Sequence, residues 1–107
     1  MTLSRPELGF APAHPGAYLR QDILPALGMT IKELAEHLGV TRATLSDLVN
    51  EHRSVSLEMA QRLGQALGNG ARFWMALQFQ YDLWHAEKNS KVDVQLLKWA
   101  GSKDRAA

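Results

Sequence analysis

At 107 residues the chain has the length of one small domain, and 46% hydrophobic with 21% charged residues is the make-up of a folded protein, not a disordered one. It contains no cysteine, which excludes disulfide staples, thiolate nucleophiles and thiolate metal sites. A formal net charge of +1 gives no global pull toward a polyanion, so a nucleic-acid partner would have to be recognised locally.

Residues 1–13 carry two prolines and little periodicity and read as a flexible N-terminal arm. The start, MTLSRPELGFAPAHPG, lacks the basic residues and apolar run of a signal peptide, and no apolar stretch is long enough to span a bilayer. The expectation is a cytoplasmic protein with no membrane partner. Helix one opens at Pro15 with His14 as its cap, and Tyr18, Leu19, Ile23 and Leu24 recur at helical spacing. Pro25 lacks an N–H and its ring clashes with the preceding turn, so a stop or kink is expected there, before the exit at Gly28.

Thr30 and Glu33 form a capping box that starts helix two, with Ile31, Leu34, Ala35 and Leu38 as its buried stripe and Gly39 as its terminator. Thr41 caps helix three, which buries Val40, Leu45, Leu48 and Val49 and runs to Asn50. Ser56 opens helix four, whose apolar residues are Leu57, Ala60, Leu63, Ala66 and Leu67, and 68-GNG-70 breaks it. Helix five, Ala71 to about Glu87, carries Phe73, Trp74, Leu77, Tyr81 and Trp84, widened by Phe79 and Leu83, a breadth that suggests burial on two sides. Residues 88–107 form a C-terminal tail. Its segment 92-VDVQLLKW-99 alternates like a strand and then spaces like a helix, and periodicity leaves both open.

Helices two and three meet across the turn Gly39-Val40-Thr41, with the small Ala35 where the pair nearly touches. That is the pattern of a DNA-binding helix-turn-helix, whose second helix lies in the major groove while the first crosses the backbone. Arg42 is the candidate base reader, because its planar fork can donate twice to guanine. Thr41 and Thr44 suit phosphate or a thymine methyl, Ala43, Ser46 and Asp47 lie along the exposed face, and Asn50 could read adenine or end the helix. Thr30, Lys32, His52 and Arg53 are candidate phosphate contacts. From Thr30 to Ser56, however, three cations (Lys32, Arg42, Arg53) face four carboxylates (Glu33, Glu36, Asp47, Glu51), a local net of −1. Such a surface calls for two copies on two half-sites.

The stretches 14-HPGAYLRQDILPALGMT-30, 39-GVTRATLSDLVNEHRSVS-56 and 72-RFWMALQFQYDL-83 resemble the HigA-type antitoxins of bacterial toxin–antitoxin modules, within the phage-repressor-like helix-turn-helix class. The resemblance covers roughly residues 14–87. It implies an all-α, five-helix, lambda-repressor-like DNA-binding domain that represses its own operon as a homodimer at a palindromic double-stranded operator and neutralises a RelE-like ribonuclease toxin. It also implies that Arg42, Ala43, Thr44, Ser46, Asp47 and Asn50 face the operator and that helix five helps form the dimer. Ala43 and Asp47 stand where many relatives look more basic.

Phe73, Trp74, Leu77, Tyr81 and Trp84 are thus candidates for a dimer or partner interface, against the plainer reading of a core. His14, His37, His52 and His85 are not at metal-ligand spacing, and no nucleophile or phosphate loop accompanies Asp82 and Glu87, so neither a metal, a cofactor nor an enzyme is expected. Two other readings share the helix-turn-helix: a stand-alone transcriptional regulator without a toxin, and a protein-interaction module that keeps the fold as scaffold.

Overall fold

Helix α1 consists of three uninterrupted segments, Pro15–Tyr18, a π-helical turn Leu19–Ile23, and Leu24–Leu27, in the computed structural model, which describes residues 11–99. The helix does not stop at Pro25 but continues through it to Gly28, at φ 66°. The π turn supplies the physical reason. The Leu24 N–H reaches back to the Leu19 carbonyl, so the ladder is already widened just before Pro25, where the ring would otherwise press on the carbonyl four residues earlier.

The next three helices begin as their caps dictate. The Thr30 hydroxyl accepts from the Glu33 N–H at 3.1 Å while the Glu33 carboxylate accepts from the Thr30 N–H at 2.9 Å, starting α2, Ile31–Leu38. Gly39 ends it at φ 76°, where a Cβ would be strained, and the Val40 N–H closes on the Ala35 carbonyl at 3.0 Å. Thr41 and Ser56 cap α3, Arg42–Val49, and α4, Leu57–Leu67, each accepting an N–H three residues on. Helix α5, Ala71–Lys88, follows Gly70 without a side-chain cap. No strand occurs among the described residues, and the segment 92–99 is neither helix nor strand. No helix there is long and apolar enough to cross a membrane. Most of the arm expected over residues 1–13 lies outside the described residues, as does the tail beyond residue 99.

All five helices of the described residues feed one core. Leu19 from α1, Leu34, Ala35 and Leu38 from α2, Leu45, Leu48 and Val49 from α3, Met59, Ala60 and Leu63 from α4 and Trp74 from α5 are buried together, with Val55 from the loop. Each fully buried leucine contributes about 1.5–3 kcal/mol relative to exposure. Two residues expected in the α4 stripe lie outside it. At 100° per residue Leu57 and Ala66 fall about a right angle to either side of Met59, Ala60, Leu63 and Leu67, so both are exposed and Met59 takes the core place.

Helix α5 needs a larger correction. Trp74, expected among the interface residues, is 0% exposed, and its indole N–H donates to the Asn69 side chain at 2.8 Å. Leu77 packs on the same core, and Tyr81 meets His14 edge-on at 4.8 Å between ring centroids. Trp74 thus belongs to the monomer's own interior, and Leu77 and Tyr81 are half-buried beside it. The apolar residues turned away from it are Phe79, 63% exposed, and Leu83, 41% exposed, on the opposite side of the helix with Ala76 and Ala86. A period of 3.6 shows that a helix has apolar faces but not which of them meets its own core.

Candidate nucleic-acid interface

Helix α3 is held by its inner face and offers its outer one. Leu45, Leu48 and Val49 are buried, whereas Thr41, Arg42, Ala43 and Asn50 are exposed and Thr44, Ser46 and Asp47 are half-buried. Thr30 and Lys32 on the α2 side, and His52 and Arg53 beyond α3, are exposed as well. The residues expected to meet DNA therefore all reach the surface on or beside the helix pair.

Their hydrogen bonds decide what each can still donate. The Thr41 hydroxyl accepts from the Thr44 N–H at 3.1 Å and donates to the Thr44 hydroxyl at 2.8 Å, so it is used at both ends and Thr44 keeps the free O–H of the pair. The Asn50 amide donates to the Ser46 hydroxyl at 3.3 Å, which aligns both along the exposed face. Arg42 makes no hydrogen bond or ion pair among the described residues, so its five donors are available at the N-terminal end of α3.

The carboxylates that gave the region its net −1 are largely engaged. Glu33 closes the capping box, Asp47 pairs with Arg53 at 3.5 Å, and Glu51 pairs with Arg20 at 2.9 Å, leaving Glu36 on the outer side of α2. Exposed pairs contribute little to stability, but they offset the repulsion that a free carboxylate would present to phosphate.

Sequence reading missed Gln78 and Arg62, which hold this face in place, whereas the cap expected at His14 forms. Gln78 is buried, accepts from the Val55 N–H at 2.7 Å and donates to Asp82 at 2.9 Å, fixing the loop after α3 to α5. The Arg62 guanidinium donates to the Leu38 carbonyl at 2.7 Å and to Glu58, and so caps the end of α2. The buried His14 imidazole accepts from the Gly16 N–H at 2.9 Å, and burial pushes its pKa below the ordinary value against the opposing pull of Glu51 and Asp82. The signal for Gln78, Asp82 and His14 was present in the motifs at either flank: the His-Pro-Gly opening and the Leu-Gln-x-x-Tyr-Asp-Leu ending meet through His14 and Tyr81.

Two short helices crossing at a glycine turn, the second with a sealed inner face and a polar outer one, define a helix-turn-helix protein. The family model described as helix-turn-helix, HTH_3, matches residues 19–74, and the chain belongs to that family. It is 40% identical over 94 residues to virulence-associated protein A' of Dichelobacter nodosus, covering 87% of this chain and 81% of that one. To antitoxin HigA-1 of Vibrio cholerae it is 34% identical over 87 residues, covering 81% and 82%. Among solved structures, the Pseudomonas aeruginosa antitoxin HigA with the higBA promoter is similar with a TM-score of 0.70 at 35% identity, covering 79% of this chain and 99% of that one.

Proposed function

We propose that this chain is a DNA-binding antitoxin that represses its own operon as a homodimer and neutralises a RelE-like ribonuclease toxin. The observation that carries the reading is the α3 face, with an unengaged Arg42 at its leading end, in a chain 35% identical to an antitoxin solved with promoter DNA. Arg42 is the base reader, with Ser46 and Asn50 behind it along one edge of the outward face, Ala43 and Asp47 at the centre of that face and Thr44 at its other edge. Thr30, Lys32, Thr41, His52 and Arg53 border the phosphates. Thr41 contributes there through its backbone, since its hydroxyl is already committed.

The homodimer joins through the outer side of α5, where Phe79 and Leu83 lie between Ala76 and Ala86, with Phe73 and Trp84 at its margin. Twofold pairing would set two recognition helices on half-sites about one helical turn apart.

Mobility-shift titration with the duplex directly upstream of the chain's own reading frame tests the DNA part. Replacing Arg42 with alanine should weaken binding by roughly 1–3 kcal/mol and relax preference near one base pair. Unchanged binding sinks the assignment. Co-expression with a small basic protein encoded next to this frame tests the toxin part: rescue of growth supports the antitoxin, whereas operator binding without any such neighbour leaves a stand-alone regulator.

A further inference from the structure

We infer that Arg20, on α1, is a positioning residue for the recognition helix; the inference rests on the DNA-binding reading of α3. It starts from the end of α3. The last four carbonyls of a helix have no partner within it, and in α3 these belong to Ser46, Asp47, Leu48 and Val49. Three are met by the backbone that follows: Asn50 N–H donates to Ser46 at 2.9 Å, His52 N–H to Asp47 at 2.8 Å and Glu51 N–H to Leu48 at 3.0 Å. The fourth, Val49, is met by the Arg20 guanidinium, 29 residues earlier in the chain.

The same guanidinium donates to the Glu51 carboxylate at 2.9 Å. Glu51 is the one non-glycine residue with positive φ among the described residues, at 65°, a conformation that strains a residue with a Cβ. That conformation turns the Glu51 and His52 N–H groups back onto α3. Arg20 therefore holds the strained residue and the remaining carbonyl with one planar fork. It also places a cation at the negative end of the α3 dipole, where α3 has no basic residue in its own last turn. One helical turn earlier Gly16 lies directly against the Leu48 carbonyl, so α1 grips the last turn of α3 at two points.

The grip is at the far end from Arg42, and neither Arg20 contact uses the outward face. Without it the last turn frays, and Ser46, Asp47 and Asn50 lose their placement over the bases while the leading end keeps its contacts. Specific binding should suffer and non-specific binding should not, because base readout needs placement to within a fraction of an ångström and phosphate attraction does not.

The test uses the full chain with Arg20→Ala and Arg20→Lys, titrated by fluorescence anisotropy over a salt series against the upstream duplex and a random duplex of equal length. Amide hydrogen exchange is followed in parallel. Arg20→Ala should lose about tenfold on the upstream duplex and nothing on the random one, with an unchanged salt slope, and the Glu51 and His52 amides should exchange faster. Arg20→Lys should recover part of both, since an ammonium can reach the carbonyl but not span to the carboxylate as well. Equal losses on both duplexes with a salt slope smaller by about one would make Arg20 a phosphate contact and overturn the inference. So would unchanged exchange at Glu51 and His52, a readout that needs no DNA. A wild-type protein that fails to distinguish the duplexes while Arg20→Ala still speeds that exchange would locate the failure in the DNA reading.

Discussion

Replacing Gly16 with alanine should be among the most damaging small changes available to this protein. A Cβ built on Gly16 falls 1.8 Å from the Leu48 carbonyl oxygen, 2.9 Å from its carbon and 3.1 Å from His14 Nδ1. An ordinary contact needs about 1.5 Å more, and a methyl group has no rotamer with which to retreat. The obstacle is backbone, so α1 and α3 must separate, which stretches the Arg20 bond to the Val49 carbonyl between them, and the new methyl also crowds the cap at the start of α1, where the Gly16 N–H donates to His14. Overpacking of this kind costs about 1–3 kcal/mol and a lost cap about 1 kcal/mol more, so roughly 3 kcal/mol is expected. In a domain of this size that lowers Tm by more than about 10 °C. Thermal melting followed by circular dichroism measures it, with Gly28→Ala as comparison, since nothing lies within 4 Å of a Cβ there and only its φ of 66° is strained. A Gly16→Ala protein melting within about 2 °C of wild type would refute the close approach as the reason for glycine.

Gln78→Met should destabilise by about 1–3 kcal/mol in denaturant titration, because the buried Val55 N–H loses its acceptor; a change near zero would mean that water replaces it. His14 is held below its ordinary value of 6.5, so the unfolded chain takes up a proton that the folded one refuses. The folded state should accordingly lose stability as pH falls from about 6.5 through the folded value, and His14→Asn, which can still cap, should flatten the Tm-against-pH curve; parallel curves would contradict this. Leu83→Asp should shift the mass seen by light scattering from dimer to monomer with little change in Tm, because the residue is outside the core. A persisting dimer would place the interface elsewhere.

Most of the helix boundaries were legible in the sequence because they are made locally. Thr30 with Glu33, Thr41 with Thr44 and Ser56 with Met59 each bond within three residues, and Gly28, Gly39 and Gly68 stop their helices by their own backbone conformation. The polar face of α3 was legible too, since a helix whose inner positions are Leu45, Leu48 and Val49 has only one outward side. A stop at Pro25 was one of the two outcomes expected there, and it does not occur because the π turn ahead of it widens the ladder where the ring would clash.

By itself, then, the sequence determined the five helices, the crossing of α2 and α3 and the residues α3 presents. Which side of α5 faces inward was set by packing, which made Trp74 core and left Phe79 and Leu83 on the outer apolar face. The tertiary structure alone paired the carboxylates of the interface and brought Arg20 to the end of α3 and Gln78 to the Val55 N–H. The physical reason is range: caps and glycine turns act within a few bonds of the residues that encode them, whereas those contacts join residues 29 and 23 positions apart, which no local pattern records.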